Sequence, residues 1–338
     1  MRLLNKDCLD KKLDALKAKL DEFKEPNSLV FALFSDLHAS GVETDRANKF
    51  LEALEAVCKR VNPDAVVNLG DNLAMLGRTE HITNERLLSV FCDLFDKIKS
   101  ATKKPLFILN GNHDGIGTDF FKPEFFNSAV KGKYDDGLAK YDGEGSYYYV
   151  DFAKARLRAV FLSVPCDSDK LTTNQTPVCS FGKKQLAWLR SVALNTDYEI
   201  VLFCHLPFFY EFRGDNTTTV EVWNGSTTAT SFRSALCGGI DDVSEAIDIL
   251  NQKTPVACFS GHIHASTLFA PHEVKGADKN PLSCAQFTIK QAVAPNPKED
   301  ELGVAIDLIV WNPTEKRLGV IKLDCEQGEI TTLSPLND

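Results

Sequence analysis

Apolar positions in this chain follow more than one rhythm, and each predicts a different kind of element. In the first 25 residues, Leu9, Leu13, Leu16, Leu20 and Phe23 recur at spacings of four and three, with Lys and Asp between them. That is the stripe of an amphipathic helix. It covers about two heptads, too few for a coiled coil, so it is expected to pack on its own domain, with a homodimer contact as the alternative. After Glu25-Pro26-Asn27 come short continuous apolar runs at Leu29–Phe34, Ala65–Leu69, Leu106–Leu109, Leu157–Val164, Ile200–Cys204 and Val256–Phe259. Runs of this length suit strands covered on both faces. Amphipathic stretches around residues 44–60, 84–99, 182–194 and 240–251 separate them, and strand alternating with helix predicts an α/β layered fold.

Tyr147–Asp151 and Arg156–Val164 read as a hairpin across Phe152-Ala-Lys-Ala, and past residue 265 the pattern turns to strands with polar turns. The expected layout is an N-terminal helix over residues 1–25 and a single domain over 26–335. Within it, the strands of 266–335 are expected to complete a second sheet. Residues 115–145 and 207–239 lack periodicity, and long aperiodic connections are often lids or substrate loops. Phe208, Phe209, Tyr210 and Trp223 in the second of these could stack on a base or sugar, or could anchor the loop to the core.

The informative feature is where the polar residues fall. Five apolar runs each end in a polar cluster: Asp36-Leu-His38, Gly70-Asp71-Asn72, Gly111-Asn112-His113-Asp114, Cys204-His205 and Gly261-His262-Ile-His264. Side chains at the carboxyl ends of strands in an open α/β sheet converge on one crevice. Carboxylates and imidazoles gathered there are costly to desolvate unless they bind metal. Taken singly, Asp-x-His or Gly-Asp arises by chance and a lone His205 is ordinary core material. Gly-Asn-His-Asp is sharper, being poor material for a strand or helix, and Gly-His-x-His could serve two ions from one extended segment.

Five blocks in this order resemble the calcineurin-like metallophosphoesterase superfamily, whose pattern is D-x-H, G-D, G-N-H-[D/E], a lone H and G-H-x-H. All five stand without substitution between Asp36 and His264. The resemblance implies an α/β four-layer sandwich, two mixed sheets packed face to face and flanked by helices, with metals at one edge. It implies that Asp36, His38 and His264 hold a first divalent ion, that Asn112, His205 and His262 hold a second, and that Asp71 bridges both. His113 would be the histidine beside the scissile phosphate. These roles make chemical sense: two ions about 3.5–4 Å apart can clamp phosphate oxygens and acidify a shared water. An imidazolium can then protonate the leaving alcohol. Nitrogen and oxygen donors without thiolate suit manganese, iron, zinc, nickel or cobalt better than copper(I).

Departures narrow the resemblance. Protein Ser/Thr phosphatases of this superfamily read G-D-x-V-D-R-G at the second block, where this chain has Gly70-Asp71-Asn72-Leu73-Ala74-Met75-Leu76. The aspartate that supports the catalytic histidine there is missing, which leaves the orientation of His113 open. Ala74 also stands where purple acid phosphatases carry a metal-binding tyrosine. The expected reaction is dinuclear-metal hydrolysis of a small-molecule or nucleotide phosphodiester by a metal-bridging hydroxide with His113 as general acid. A phosphomonoesterase on the same site, or a silent scaffold on the same fold, is the alternative.

Composition trims these expectations. A net charge of −9 provides no general basic surface, so a nucleic-acid partner is not expected. No apolar stretch approaches the ~18–20 residues of a membrane span, and the charged start lacks the profile of a signal peptide. A cytoplasmic location follows as the expectation, and with it ten cysteines held as reduced, structural thiols. The sequons at Asn174, Asn216 and Asn224 would matter only on export.

Overall fold

The computed structural model describes residues 6–39, 44–73, 83–114, 123–143, 145–163, 166–171, 177–208, 242–264, 266–271, 280–293, 303–323 and 330–333. Two mixed sheets face each other. The first has six strands in the order β15-β14-β13-β1-β2-β3, with β1 at Leu29–Phe34, β2 at Ala65–Asn68 and β3 at Leu106–Ile108, then β13 at Asp307–Asn312, β14 at Arg317–Lys322 and β15 at Ile330–Leu333. The second has seven in the order β11-β12-β10-β9-β6-β5-β4. These are β4 Lys140–Tyr141, β5 Tyr148–Phe152, β6 Leu157–Leu162, β9 Glu199–Cys204, β10 Ala257–Ser260, β11 Thr267–Phe269 and β12 Ala285–Thr288. A separate hairpin joins β7, Cys166–Leu171, to β8, Pro177–Cys179.

The pleat explains why the runs are apolar throughout. Successive side chains point to opposite faces of a strand. In β1, Leu29, Phe31 and Leu33 enter the core between the sheets, while Val30, Ala32 and Phe34 enter the core beneath the helices. Strand β9 repeats this: Val201 and Phe203 face the first sheet, and Ile200, Leu202 and Cys204 face the outer helices. Phe161, Phe203, Phe259 and Phe287 run as a ladder across the second sheet, with centroids 4.9, 5.8 and 6.0 Å apart. Phe31 and Phe107 of the first sheet meet it edge-on or tilted, at 6.0 Å from Phe203 and 5.4 Å from Phe161.

Helices α1 (Lys6–Phe23), α2 (Asp45–Val61) and α3 (Asn84–Thr102) contribute to the outer core of the first sheet. So does α4, Pro123–Val130, through Phe126, Ala129 and Val130. Helices α5 (Gly182–Trp188) and α6 (Val243–Leu250) cover the second. The stripe of α1 is buried within this chain: Leu9, Leu13, Leu16, Leu20 and Phe23 are each 5% exposed or less, and the helix lies against α2 and β14.

Two expectations are corrected. The strands after residue 266 do not all complete the second sheet: β11 and β12 do, whereas β13, β14 and β15 extend the first. The chain changes sheet within four residues. Ile289 N donates to Ser260 O at 2.9 Å in the second sheet, and Ala292 N donates to Ser35 O at 2.8 Å in the first. Strand β13 then pairs antiparallel with the open side of β1, where its six residues are buried on both faces. The second correction concerns the thiols. Cys8, Cys58, Cys92, Cys204, Cys258 and Cys284 stand outside any disulfide, but Cys179 is disulfide-bonded. The β7–β8 register sets Cys166 opposite Cys179, a proximity that sequence spacing alone does not reveal. Among the described residues no helix is long and apolar enough to cross a membrane. The three sequons lie outside the described residues.

Edge strand β3 is closed by the other sheet. Tyr148 Oη accepts from Ile108 N at 2.9 Å and donates to Ile108 O at 3.1 Å, so one phenol satisfies both backbone groups at that position. Tyr148→Phe leaves both groups buried without that partner, which costs about 1–3 kcal/mol. Urea unfolding is expected to show a lower midpoint with an unchanged slope; an unchanged midpoint would mean that this bond contributes nothing.

Candidate metal centre

The parallel ladder of the first sheet continues past its strands. Leu69 N donates to Phe34 O, Asp36 N to Gly70 O, His38 N to Asp71 O and Ala39 N to Asn72 O, at 2.8–3.0 Å. These bonds carry the Asp36–His38 and Gly70–Asn72 turns out side by side from the carboxyl ends of β1 and β2. In the second sheet Ser260 pairs with Cys204, and beyond them Gly261 N donates to His205 O at 3.0 Å. The two edges meet where His262 N donates to Asp36 Oδ2 at 3.0 Å and His205 Nδ1 contacts Leu69 O at 2.8 Å.

Two sets of donors result, sharing one residue. Asp36, His38, Asp71 and His264 each offer an atom within 4.8 Å of the others, as do Asp71, His205 and His262. Asn112 joins the second set, its Oδ1 lying 3.0 Å from His205 Nε2. The Leu69 carbonyl takes the Nδ1 proton of His205 and thereby aims Nε2 at Asn112 Oδ1 and at Asp71 Oδ1, 3.4 Å away. His38 Nε2 and His264 Nε2 face one another at 2.9 Å. Asp71 Oδ2 and His262 Nδ1 are buried with no hydrogen-bond partner. Lone pairs that converge in this way repel unless a cation or proton stands between them, so the donor set fits metal ions.

His113 is placed differently. Its backbone N donates to Asp71 Oδ1 at 2.7 Å, its Nε2 stands 3.8 Å from Asp71 Oδ2, and its ring meets that of His38 edge-on at 4.8 Å. Its side chain is 27% exposed, against 14% for His264, 11% for His38 and none for His205. A solvent-facing imidazole beside a buried donor set can exchange protons with a bound molecule.

The charges are arranged around the two aspartates. Burial alone would raise Asp36, but His264 at 3.2 Å and His205 bring it down to about 2. Burial likewise opposes ionisation of Asp71, and His205, His113 and His38 outweigh it, holding the carboxyl well below its usual range. Burial pulls His38 down to about 4 against the attraction of Asp71 and Asp36. Burial and then His205 bring His262 down to about 3. For His205 burial is overcome by Asp71 and Asp36, and its pKa rises to about 9. Near neutral pH the cluster therefore holds two carboxylates, two neutral ligand imidazoles and a charged His205.

All eight residues singled out in the sequence come together, and two features invisible there accompany them. The first is the backbone. Asp36, His38, Asp71, His262 and His264 have φ of 55, 47, 52, 69 and 57°, in the left-handed region that costs non-glycine residues of order 1–3 kcal/mol each. Close approach adds to this: a Cβ on Gly111 would overlap Asp71 Oδ1 and one on Gly261 would lie 2.6 Å from Asp36 Oδ2. The second is Asp114, 1% exposed, whose oxygens take backbone N–H groups from the Asn72–Leu73 turn and from Gly111. Burial and the Asp71 charge push it up to about 7, against the N–H groups of Gly111 and Leu73. For one aromatic candidate the structure selects the anchoring role. Phe208 is fully buried, stacks on Phe181 at 5.5 Å and donates its N–H to Gln286 Oε1, so it anchors the core. Phe209, Tyr210, Trp223 and Ala74 lie outside the described residues, as does most of the 207–239 stretch.

No curated protein sequence matches the chain. Among solved structures, a dimetal phosphatase from Danio rerio superposes with a TM-score of 0.55 at 12% identity, over 91% of this chain and 99% of its own. The structure of PhoD gives 0.50 at 14% identity, over 90% of this chain and 68% of its own. At these identities the likeness is one of fold. The profile described as Calcineurin-like phosphoesterase matches residues 29–266, the stretch that carries all five motif blocks. That match spans well over half of the chain, which therefore belongs to the calcineurin-like phosphoesterase family.

Proposed function

We propose that this protein hydrolyses a small-molecule or nucleotide phosphodiester at a centre of two divalent cations, with His113 as general acid. The observation that carries the proposal is the pair of donor sets sharing Asp71, whose buried Oδ2 has no hydrogen-bond partner. Asp36, His38 and His264 with Asp71 would hold one ion, and Asn112, His205 and His262 with Asp71 the other. Ions held there would supply Lewis acidity that polarises the phosphoryl group and acidifies water. Their donors are nitrogen and oxygen, which suits manganese, iron, zinc, nickel or cobalt.

The chain's own residues do the rest. Asp71 serves the donor sets and, through the His113 N–H, fixes where the His113 ring starts. His113 Nε2 is the atom that would give its proton to the departing alkoxide. Burial of Asp36, Asp71, Asn112 and His205, each 1% exposed or less, keeps bulk water from competing for the donors. The Gly-Asn-His-Asp block, and the long stretches after His113 and His205 that could shape an extended pocket, favour a diester over a monoester.

Three outcomes are expected. Asp71→Asn should keep the circular dichroism of the parent and lower manganese-dependent hydrolysis of bis(4-nitrophenyl) phosphate by more than about 100-fold, since residues merely supporting a metal ligand are worth 10–100-fold. Equal turnover in that variant would refute the mechanism, and equal parent rates on mono- and bis-nitrophenyl phosphate would refute the diester preference. His113→Gln should slow esters with alkyl leaving groups by roughly 10²–10⁴ but nitrophenyl esters far less, because nitrophenolate leaves without a proton. Finally, His205 must shed its proton to ligate an ion. With its pKa raised to about 9, metal uptake at pH 7.5 should release a proton, seen as a calorimetric enthalpy that varies with the ionisation enthalpy of the buffer, and affinity should climb as pH rises towards 9. Buffer-independent enthalpies would contradict a charged His205.

A further inference from the structure

Asp114 closes the second and third motif blocks onto each other. Its Oδ1 accepts from Asn72 N at 2.7 Å and Leu73 N at 2.8 Å, and its Oδ2 accepts from Gly111 N at 2.9 Å and Asn72 Nδ2 at 3.0 Å. All four partners are donors. The reverse bond is also present: Asp71 Oδ1, on the other turn, accepts from His113 N at 2.7 Å. Each turn thus presents an aspartate to the backbone of its neighbour, and the glycine between them leaves space for nothing larger. Neither oxygen of Asp114 bonds to a side chain of the donor sets. Its hydrogen bonds end on the turn that bears Asp71 and on the turn that bears Asn112 and His113.

We infer that Asp114 is a positioning residue, a latch that fixes the distance between the turn of Asp71 and the turn of Asn112 and His113 so that the two donor sets can share one carboxylate. The inference rests on the metal-centre reading only for its effect on ions and turnover; the latch itself is a property of the metal-free fold. Two turns stepping from adjacent parallel strands have no other side chain among the described residues that bonds to both backbones. Without the latch, the turns are left with the His113 N–Asp71 Oδ1 bond and the Asn72 Nδ2–Leu109 O bond, and the second donor set, which needs both Asp71 and Asn112, loses more than the first.

Asp114→Asn tests this with little change in shape. In either amide orientation its NH2 faces N–H groups: Asn72 N and Leu73 N one way, Gly111 N and Asn72 Nδ2 the other. Hydrogen exchange in the metal-free protein should quicken in both segments, 70–73 and 110–114. Calorimetric titration with manganese should show the weaker of two sites raised in Kd by roughly 10–100-fold, the range for residues that support metal ligands. At saturating metal, kcat should fall while KM stays within a few-fold and the pH profile keeps its shape. Unchanged exchange in segment 70–73 would overturn the inference, as would a fall in kcat with both metal sites intact and a shifted pH profile, which would instead make Asp114 part of the proton path. Should Asp114→Asn fail to fold, Asn72→Ala removes the Nδ2 bonds to Asp114 Oδ2 and Leu109 O and spares the three backbone bonds, so exchange must quicken in both segments in smaller degree, and unchanged exchange would overturn the latch equally. If the parent protein takes up no metal, the functional reading falls, and the exchange comparison still decides on the latch.

Discussion

Burying a carboxylate in a protein interior costs several kcal/mol unless charge and hydrogen bonds replace the lost water, and this molecule buries three of them near one seam, with Asp114 behind Asp36 and Asp71. Asp36 and Asp71 are each 1% exposed or less, at the ends of adjacent strands of the same sheet. Much of the surrounding structure is a response to that fact. Histidines from the other sheet supply the opposing charge, the His262 N–H bonds to Asp36, and the His113 N–H bonds to Asp71. The strained backbone at five of the donors is held because strands and glycines on both sides determine it. The two sheets are therefore joined at this edge by electrostatics and at their centre by aromatic packing.

The fold was legible where a residue's neighbours along the chain decide its environment. Continuous apolar runs announced strands covered on both faces, and β1 and β9 do divide their side chains between two cores. The stripe from Leu9 to Phe23 announced a helix with one buried face. The partners of a strand are another matter, because β-pairing joins residues far apart in sequence. Nothing in Asp307–Asn312 distinguishes a strand destined to lie beside β1 from one destined for β12. The switch depends on how few residues separate Ser260 from Ser35 in space. The same holds for the backbone register that sets Cys166 opposite Cys179.

The site was legible for a related reason. Its residue types are rare at strand ends, and five such clusters in order could be read without coordinates. What could not be read is support. Asp114 was noticed as a neighbour of His113, yet it serves the turn of Asp71, and only three dimensions reveal a partner some forty positions back in the chain. Left-handed φ values at Asp36, His38, Asp71, His262 and His264 leave no mark in the sequence, because nothing there replaces these residues with glycine: their side chains are needed as donors.

One arrangement described above has a thermodynamic consequence. Asp36, His38 and Asn112 hang from the first sheet, and His205, His262 and His264 from the second, so each ion held there would draw donors from both. Such an ion is a cross-link between the halves of the sandwich. Separating the sheets would first require its release, and the resistance of the fold to opening would grow with the logarithm of the free ion concentration. Occupancy and mechanical integrity of the sandwich thereby become one linked equilibrium.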